Sequence, residues 1–215
     1  MTTPTAASLP RLLLVADGFA SGRKEMDAPA IAARSRALVE AGVPFVMLRD
    51  HAASDASFAA AADALARDLR AANPGVRLVI NSRPDIALAL GAGLHVGRHG
   101  PLVSEAVALG TAFVGYSAHS ATQVRTAALA GAAYATLSPV FETASHPDTP
   151  PLGLGPLRLA SGAAGIPVFA LGGLTPPRAR EARAAGAHGV AVLSQLLFGW
   201  NAPRTARAFL DALGE

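Results

Sequence analysis

Four times in 215 residues the chain ends an Ala-rich stretch on glycine and runs at once into a short apolar segment: AGVPFVML from Ala41, GAGLHV from Gly91, AGAAYATLS from Ala130 and AGAHGVAVLS from Ala185. A glycine just past a helix adopts the left-handed conformation at little cost. A strand apolar on both faces must be covered on both, which is the signature of a parallel sheet clad in helices. Followed along the whole chain, the same alternation predicts eight strands: Arg11–Ala16, Pro44–Arg49, Val76–Asn81, Gly93–Val96, Ala112–Ser117, Ala133–Ser138, Ile166–Leu171 and Gly189–Leu193. Each is followed by a helical segment, the last of them Thr205–Leu213. Eight βα units in one domain predict an α/β fold of the (β/α)8 TIM-barrel type in preference to an open doubly wound sheet.

Hydrophobic residues make up 51% of the chain and aromatics only 5%, a composition suited to closely packed helix–sheet layers. No uninterrupted apolar run is long enough to span a bilayer. Met1–Pro10 has neither a basic start nor an apolar core, so it reads as a flexible tail and not a signal peptide, with residues 11–215 forming one domain. The absence of cysteine excludes disulfides, a thiolate nucleophile and zinc–sulfur sites. The expected compartment is the cytoplasm. Net charge is +3, and Lys24, the only lysine, falls in a polar loop and not at a strand end, which argues against Schiff-base chemistry. Arg34, Arg36, Arg67, Arg70, Arg178, Arg180 and Arg183 lie on helical segments without interleaved aromatics, the pattern of a solvated surface and not of a nucleic-acid face.

In such a barrel the working residues gather where strands end. Between Ile166 and Ser194 the sequence reads IPVFALGGLTPPRAREARAAGAHGVAVLS. Gly172-Gly173 after strand seven leaves backbone bare for an oxyanion, Thr175 and Pro176 open a helix, and Ser194 closes strand eight. Together these predict a phosphate cradle. Arg49 at the end of strand two is read as an anion clamp or a partner of Asp50. His119, two residues past strand five, is the leading candidate for moving protons near neutral pH. His95 and His99 bracket a strand end and Gly97, a spacing that does not suit a metal pair, and His188 in a helix-to-strand turn reads as structural. Asp50 and Glu142 are the acids placed beside strand ends, and no catalytic carboxylate pair is evident.

The segments VMLRDH, INSRPDIALALGAGLHVG, VGYSAHS, LSPVFETASH and ALGGLTP followed by GVAVLS resemble, in order and spacing, the thiamine-phosphate synthase and TenI-like superfamily. The resemblance implies a (β/α)8 barrel, often dimeric, so a homodimer is compatible with it. It implies that Thr143, Ser145, Gly173, Leu193 and Ser194 hold a thiazole phosphate, and that Ser117 and His119 match as well. Synthases of this superfamily carry Gln and Lys flanking the strand-two arginine, Asn-Asp after strand three, Asp after strand four and Lys closing the strand-six loop. Those residues handle a pyrimidine pyrophosphate and its Mg²⁺. Here the corresponding positions are Met47, His51, Ser82, Gly100 and His146, so that only Arg49 and Asn81 survive from that half of the site.

Mg²⁺ prefers carboxylate oxygens and water, and both aspartates are missing. The expectation drawn from these departures is an isomerase of the TenI-like type, a thiazole tautomerase. It would act on a carboxythiazole phosphate with His119 shuttling the proton, Arg49 meeting the carboxylate, and no cofactor or metal. A thiamine-phosphate synthase with a remodelled pyrophosphate site is the second expectation. A non-catalytic barrel that binds thiazole or thiamine phosphates is the third. In each the partner is a small phosphorylated thiazole, with no nucleic acid and no membrane.

Overall fold

The computed structural model describes residues 9–143 and 148–215. Eight parallel strands close into a barrel in chain order: β1 (Leu12–Asp17), β2 (Phe45–Arg49), β3 (Arg77–Asn81), β4 (Gly93–Val96), β5 (Val114–Ala118), β6 (Tyr134–Leu137), β7 (Val168–Leu171) and β8 (Gly189–Val192). The helices outside it are α1 (Ala28–Glu40), α2 (Asp55–Ala72), α3 (Pro84–Ala89), α4 (Val103–Ala108), α5 (Ala121–Leu129), α6 (Leu154–Ala163), α7 (Pro176–Ala184), the short turn α8 (Ser194–Leu197) and α9 (Ala202–Leu213). The predicted TIM barrel is therefore the fold, and no helix among the described residues is long and apolar enough to cross a membrane.

Local chemistry sets where the helices begin. Asp27, Ser54, Ser120, Thr175 and Asn201 each accept a hydrogen bond from a backbone N–H two or three residues into α1, α2, α5, α7 and α9. Caps of this kind contribute about 1 kcal/mol each. Asn201 explains why α9 starts at Ala202 and not at Thr205 as the sequence pattern suggests. β8 stops at Val192, because Leu193 leaves the strand conformation (φ −113°, ψ −81°) and Ser194 opens α8. Leu9, within the segment read as a tail, is buried, and its carbonyl accepts from His188 Nε2 at 2.7 Å.

Two apolar layers result. One fills the space between sheet and helices, with Phe58, Ile31, Leu69 and Phe209 fully buried. The other fills the barrel interior, where Phe45, Phe113, Tyr134 and Phe169 meet edge to face or tilted at centroid distances from 5.5 to 6.2 Å. Gly115 faces Tyr134 across the β5–β6 register, and a Cβ on it would overlap the tyrosine ring; Gly93 leaves the same room for Phe113. The barrel is thus packed to its axis, and ligand space can open only above it, at the carboxyl ends of the strands.

Candidate functional site

A cavity of about 390 Å³ opens there, bounded by the ends of β2, β7 and β8 and by the loops after β5, β6 and β7. Its size falls within the range of small-molecule sites. Of the residues singled out from sequence, it brings together Arg49, His119, Thr143, Gly172, Gly173, Leu193 and Ser194. Asn81 and Ser117 are not on its wall. Asn81 is buried and donates from Nδ2 to Ser82 Oγ at 3.1 Å, and Ser117 Oγ bonds His95 Nε2 at 2.8 Å. Ser145 and His146 lie outside the described residues.

The glycine side of the cavity is built by two loops pressed together. Gly172 (φ +97°) and Gly173 (φ +64°) take left-handed backbone, which favours glycine. A Cβ on Gly172 would fall 2.9 Å from Pro139 Cα, and one on Gly173 would strike the Glu142 carbonyl. The sequence reading explained the pair by access for an anion; the close approach of the loop after β6 demands glycine as well. Phe141 N donates to the Gly172 carbonyl at 3.2 Å and Val140 N to that of Leu171 at 2.9 Å, tying the loops together. Across the cavity floor, Ser194 and Gln195 open α8, whose first backbone bonds come from Leu196 and Leu197 onto the Leu193 carbonyl. Their own amides, at a helix start, are not used within it.

His119 Nδ1 lies 2.9 Å from the Ser138 carbonyl. A carbonyl only accepts, so Nδ1 carries the hydrogen and the neutral ring presents Nε2 as acceptor or base. The backbone N–H of His119 donates to Gln123 Oε1 at 2.7 Å, which fixes the loop after β5.

The opposite wall is organised by an acid that the sequence reading passed over. Asp17, the last residue of β1, stands beside Arg49 in the register and is buried. Its Oδ1 accepts from Arg49 Nε at 3.0 Å and its Oδ2 from Arg49 NH2 at 3.2 Å, while Arg23 closes on Oδ2 from the loop after β1. Arg49 therefore pairs with Asp17 and not with Asp50. The pattern of a strand ending at Ala16 hid this, since Asp17-Gly18 looks like a turn; Gly18 in fact makes room for the Arg23 side chain to cross to Asp17.

Asp50 does different work. It accepts from the backbone N–H groups of Ala20, Ser21, Ala52 and Ala53 and from Ser21 Oγ at 2.7 Å. Burial pushes its carboxyl upward, but the hydrogen bonds from Ser21, Ala20 and Ala53 outweigh this and hold it below the usual range. Packing around the base of His51, and then the Arg49 charge, push that imidazole below its ordinary value, so at neutral pH it does not supply the positive charge of a lysine.

Behind this wall His95 is fully buried on β4. Nδ1 bonds the Tyr134 hydroxyl at 2.9 Å and Nε2 bonds Ser117 Oγ, and burial followed by the Arg49 charge pushes its pKa down to about 3. It is a neutral, hydrogen-bonded core histidine. Burial likewise pushes the Tyr134 phenol up. His188 packs its ring 5.3 Å from that of Phe169 and, held by Leu9, sits at the opposite end of the barrel.

The Mg²⁺ implied by the synthase pattern can be set against these side chains. Among the described residues no group of three or more His, Cys, Asp or Glu side chains could hold a metal. Asp17 is engaged by two guanidiniums and Asp50 by five hydrogen bonds. The described residues do not fit that ion.

Arg178 corrects another expectation. It was grouped with the solvated surface arginines, yet it lines the cavity from the first turn of α7. NH1 donates to the Gly173 carbonyl at 2.7 Å and the guanidinium lies 5.0 Å from the centroid of the Phe141 ring. Helical periodicity alone cannot reveal this.

A family model described as "Thiamine monophosphate synthase" matches residues 20–196. The chain is 40% identical over 190 residues to a thiamine-phosphate synthase of Albidiferax ferrireducens, covering 86% of this chain and 84% of that one. It is 35% identical over 193 residues to a putative thiamine-phosphate synthase 2 of Aquifex aeolicus, covering 88% and 98%. Among solved structures, a thiamine phosphate pyrophosphorylase from Pyrococcus furiosus superposes with a TM-score of 0.82 over 95% of each chain, at 22% identity, which speaks to the fold. These relatives overturn the expectation of a thiazole tautomerase: proteins this similar in sequence carry the synthase name.

Proposed function

The chain belongs to the thiamine monophosphate synthase family, and on that premise we propose that it is a transferase that joins a pyrimidine pyrophosphate to a thiazole phosphate, with a remodelled pyrophosphate side. The observation that carries the proposal is one cavity presenting a glycine-backbone wall and a cationic wall on opposite sides, in a chain 40% identical to a named synthase. In the reaction the bond from the pyrimidine methylene carbon to the diphosphate oxygen breaks, the electron pair leaves with the diphosphate, and the thiazole nitrogen supplies the pair of the new C–N bond. Proximity of the two partners in one pocket is the chief contribution such a site can make.

In this reading the thiazole phosphate rests against Gly172, Gly173, Leu193 and Ser194, with Thr143 and Ser145 from the loop after β6. Arg49 faces the departing diphosphate. Asp17 fixes two of its donors, and NH1 is not engaged by any described residue. His119 offers Nε2 to a polar group of the substrates, and Asn81 and Ser117 brace the strand ends behind them. The cytoplasmic setting and the absence of nucleic-acid or membrane partners belong to the same proposal.

The test is chromatographic detection of thiamine phosphate from both substrates, with Mg²⁺ and in excess chelator. Product formed in either condition, and depressed at least tenfold by Arg49→Gln, supports the reading. No product in either condition overturns it.

A further inference from the structure

The cavity holds two arginines in different electrostatic situations. Arg49 shares one buried carboxylate with Arg23, whereas Arg178 has no Asp or Glu oxygen within 4 Å among the described residues. Glu142 also lines the cavity, but it is its backbone carbonyl that faces the glycine turn, and its carboxylate forms no ion pair with Arg178. The Arg178 guanidinium is nevertheless held in place, by the Gly173 carbonyl at 2.7 Å and by the Phe141 ring at 5.0 Å. A cation fixed by a carbonyl and an aromatic face keeps its full charge. Of five N–H donors one is used, and the remaining fork matches the oxygens of a phosphate.

Resting on the reading above, we propose that Arg178 is the charged ligand of the thiazole monophosphate and the residue that makes this cavity select a phosphorylated thiazole over the free alcohol. The glycine turn and the Ser194 hydroxyl supply neutral donors. They can orient a phosphate dianion but cannot balance it. Arg178 stands beside Gly173, on the same side of the cavity, and brings the missing charge. It also ties the loop after β7 to the loop after β6 through Phe141, so the cation and the cradle move as one unit.

Calorimetry with three probes separates this from a purely structural role: thiazole phosphate, the same thiazole without its phosphate, and inorganic phosphate. Hydrogen bonds to charged groups predict that Arg178→Gln weakens thiazole phosphate and inorganic phosphate by about 10- to 100-fold while binding of the alcohol stays within about twofold. Arg178→Lys, which keeps the charge and loses the fork, should recover part of the loss. Melting curves of both variants show whether the barrel has folded. Equal weakening of phosphorylated and unphosphorylated thiazole, or no change in either, overturns the assignment. The binding ratios are read without turnover, so absence of thiamine phosphate in the coupling assay would sink the synthase reading and leave this one standing.

Discussion

The two walls of the cavity use charge in opposite ways. On the β1–β4 side the polar groups satisfy one another: Arg49 and Arg23 on Asp17, Asp50 on the loop amides, His95 between Ser117 and Tyr134. On the β5–β8 side the polar groups are fixed but not consumed, with Arg178 on a carbonyl and a ring, and His119 on the Ser138 carbonyl. A wall of mutually bonded groups is held rigid, and with two guanidiniums on one carboxylate it keeps an excess positive charge. A wall whose donors are held in place and left open is prepared for an anion.

The contrast breaks most severely at the glycine turn. Gly173→Ala places a Cβ against the Glu142 carbonyl at a φ of +64°, and should cost about 3 kcal/mol of stability in urea unfolding and abolish thiazole phosphate binding. A variant that unfolds at the native urea midpoint would show that the loops are not locked together.

Next comes the matched wall. Asp17→Asn removes the carboxylate shared by two guanidiniums, with an expected loss of about 2 kcal/mol, below the cost of breaking a fully buried pair because both arginines keep partial solvent contact. The same change should raise affinity for free pyrophosphate roughly 3- to 10-fold by releasing Arg49. Unchanged affinity would mean that Arg49 does not reach the ligand.

A gentler probe is acid. Because His95 is held near pKa 3 when folded and has an ordinary value of 6.5, the unfolded chain takes up a proton that the folded chain refuses. Stability is therefore full above pH 6.5 and falls as pH drops toward 3, at up to about 1.4 kcal/mol per pH unit from this residue. His51 and His188 are shifted the same way and add to the slope. His95→Gln should remove one proton's share of the slope while theirs remains, measured by urea midpoints between pH 5 and 7.5. The smallest effect is expected at His119, where replacement by Ala should lower kcat/KM about tenfold with little change in melting temperature.

Much of this architecture is legible in the residues. Apolar strands and glycine-ended helices announce the barrel, because both signals are local. That Gly172, Gly173 and Ser194 would line the cavity was also readable, since they follow directly from strand ends. What escaped depends on neighbours far apart in sequence. Asp17 acquires its meaning from Arg49, 32 residues on, across a strand pair whose register the one-dimensional pattern does not specify. Arg178 looks like any helix-surface arginine until the loop after β6 folds over it. The inference from missing aspartates to a different reaction failed because losing a ligand set does not by itself reveal what replaces it.

One feature of the barrel interior reaches beyond the site. Gly115 and Tyr134, like Gly93 and Phe113, divide a single volume between two adjacent strands. Enlarging the glycine without shrinking its ring causes a clash, and shrinking the ring without enlarging the glycine leaves a hole. Substitution along the axis must therefore proceed by paired exchange. Among homologues these positions should covary as couples, with single changes rare and double changes well tolerated.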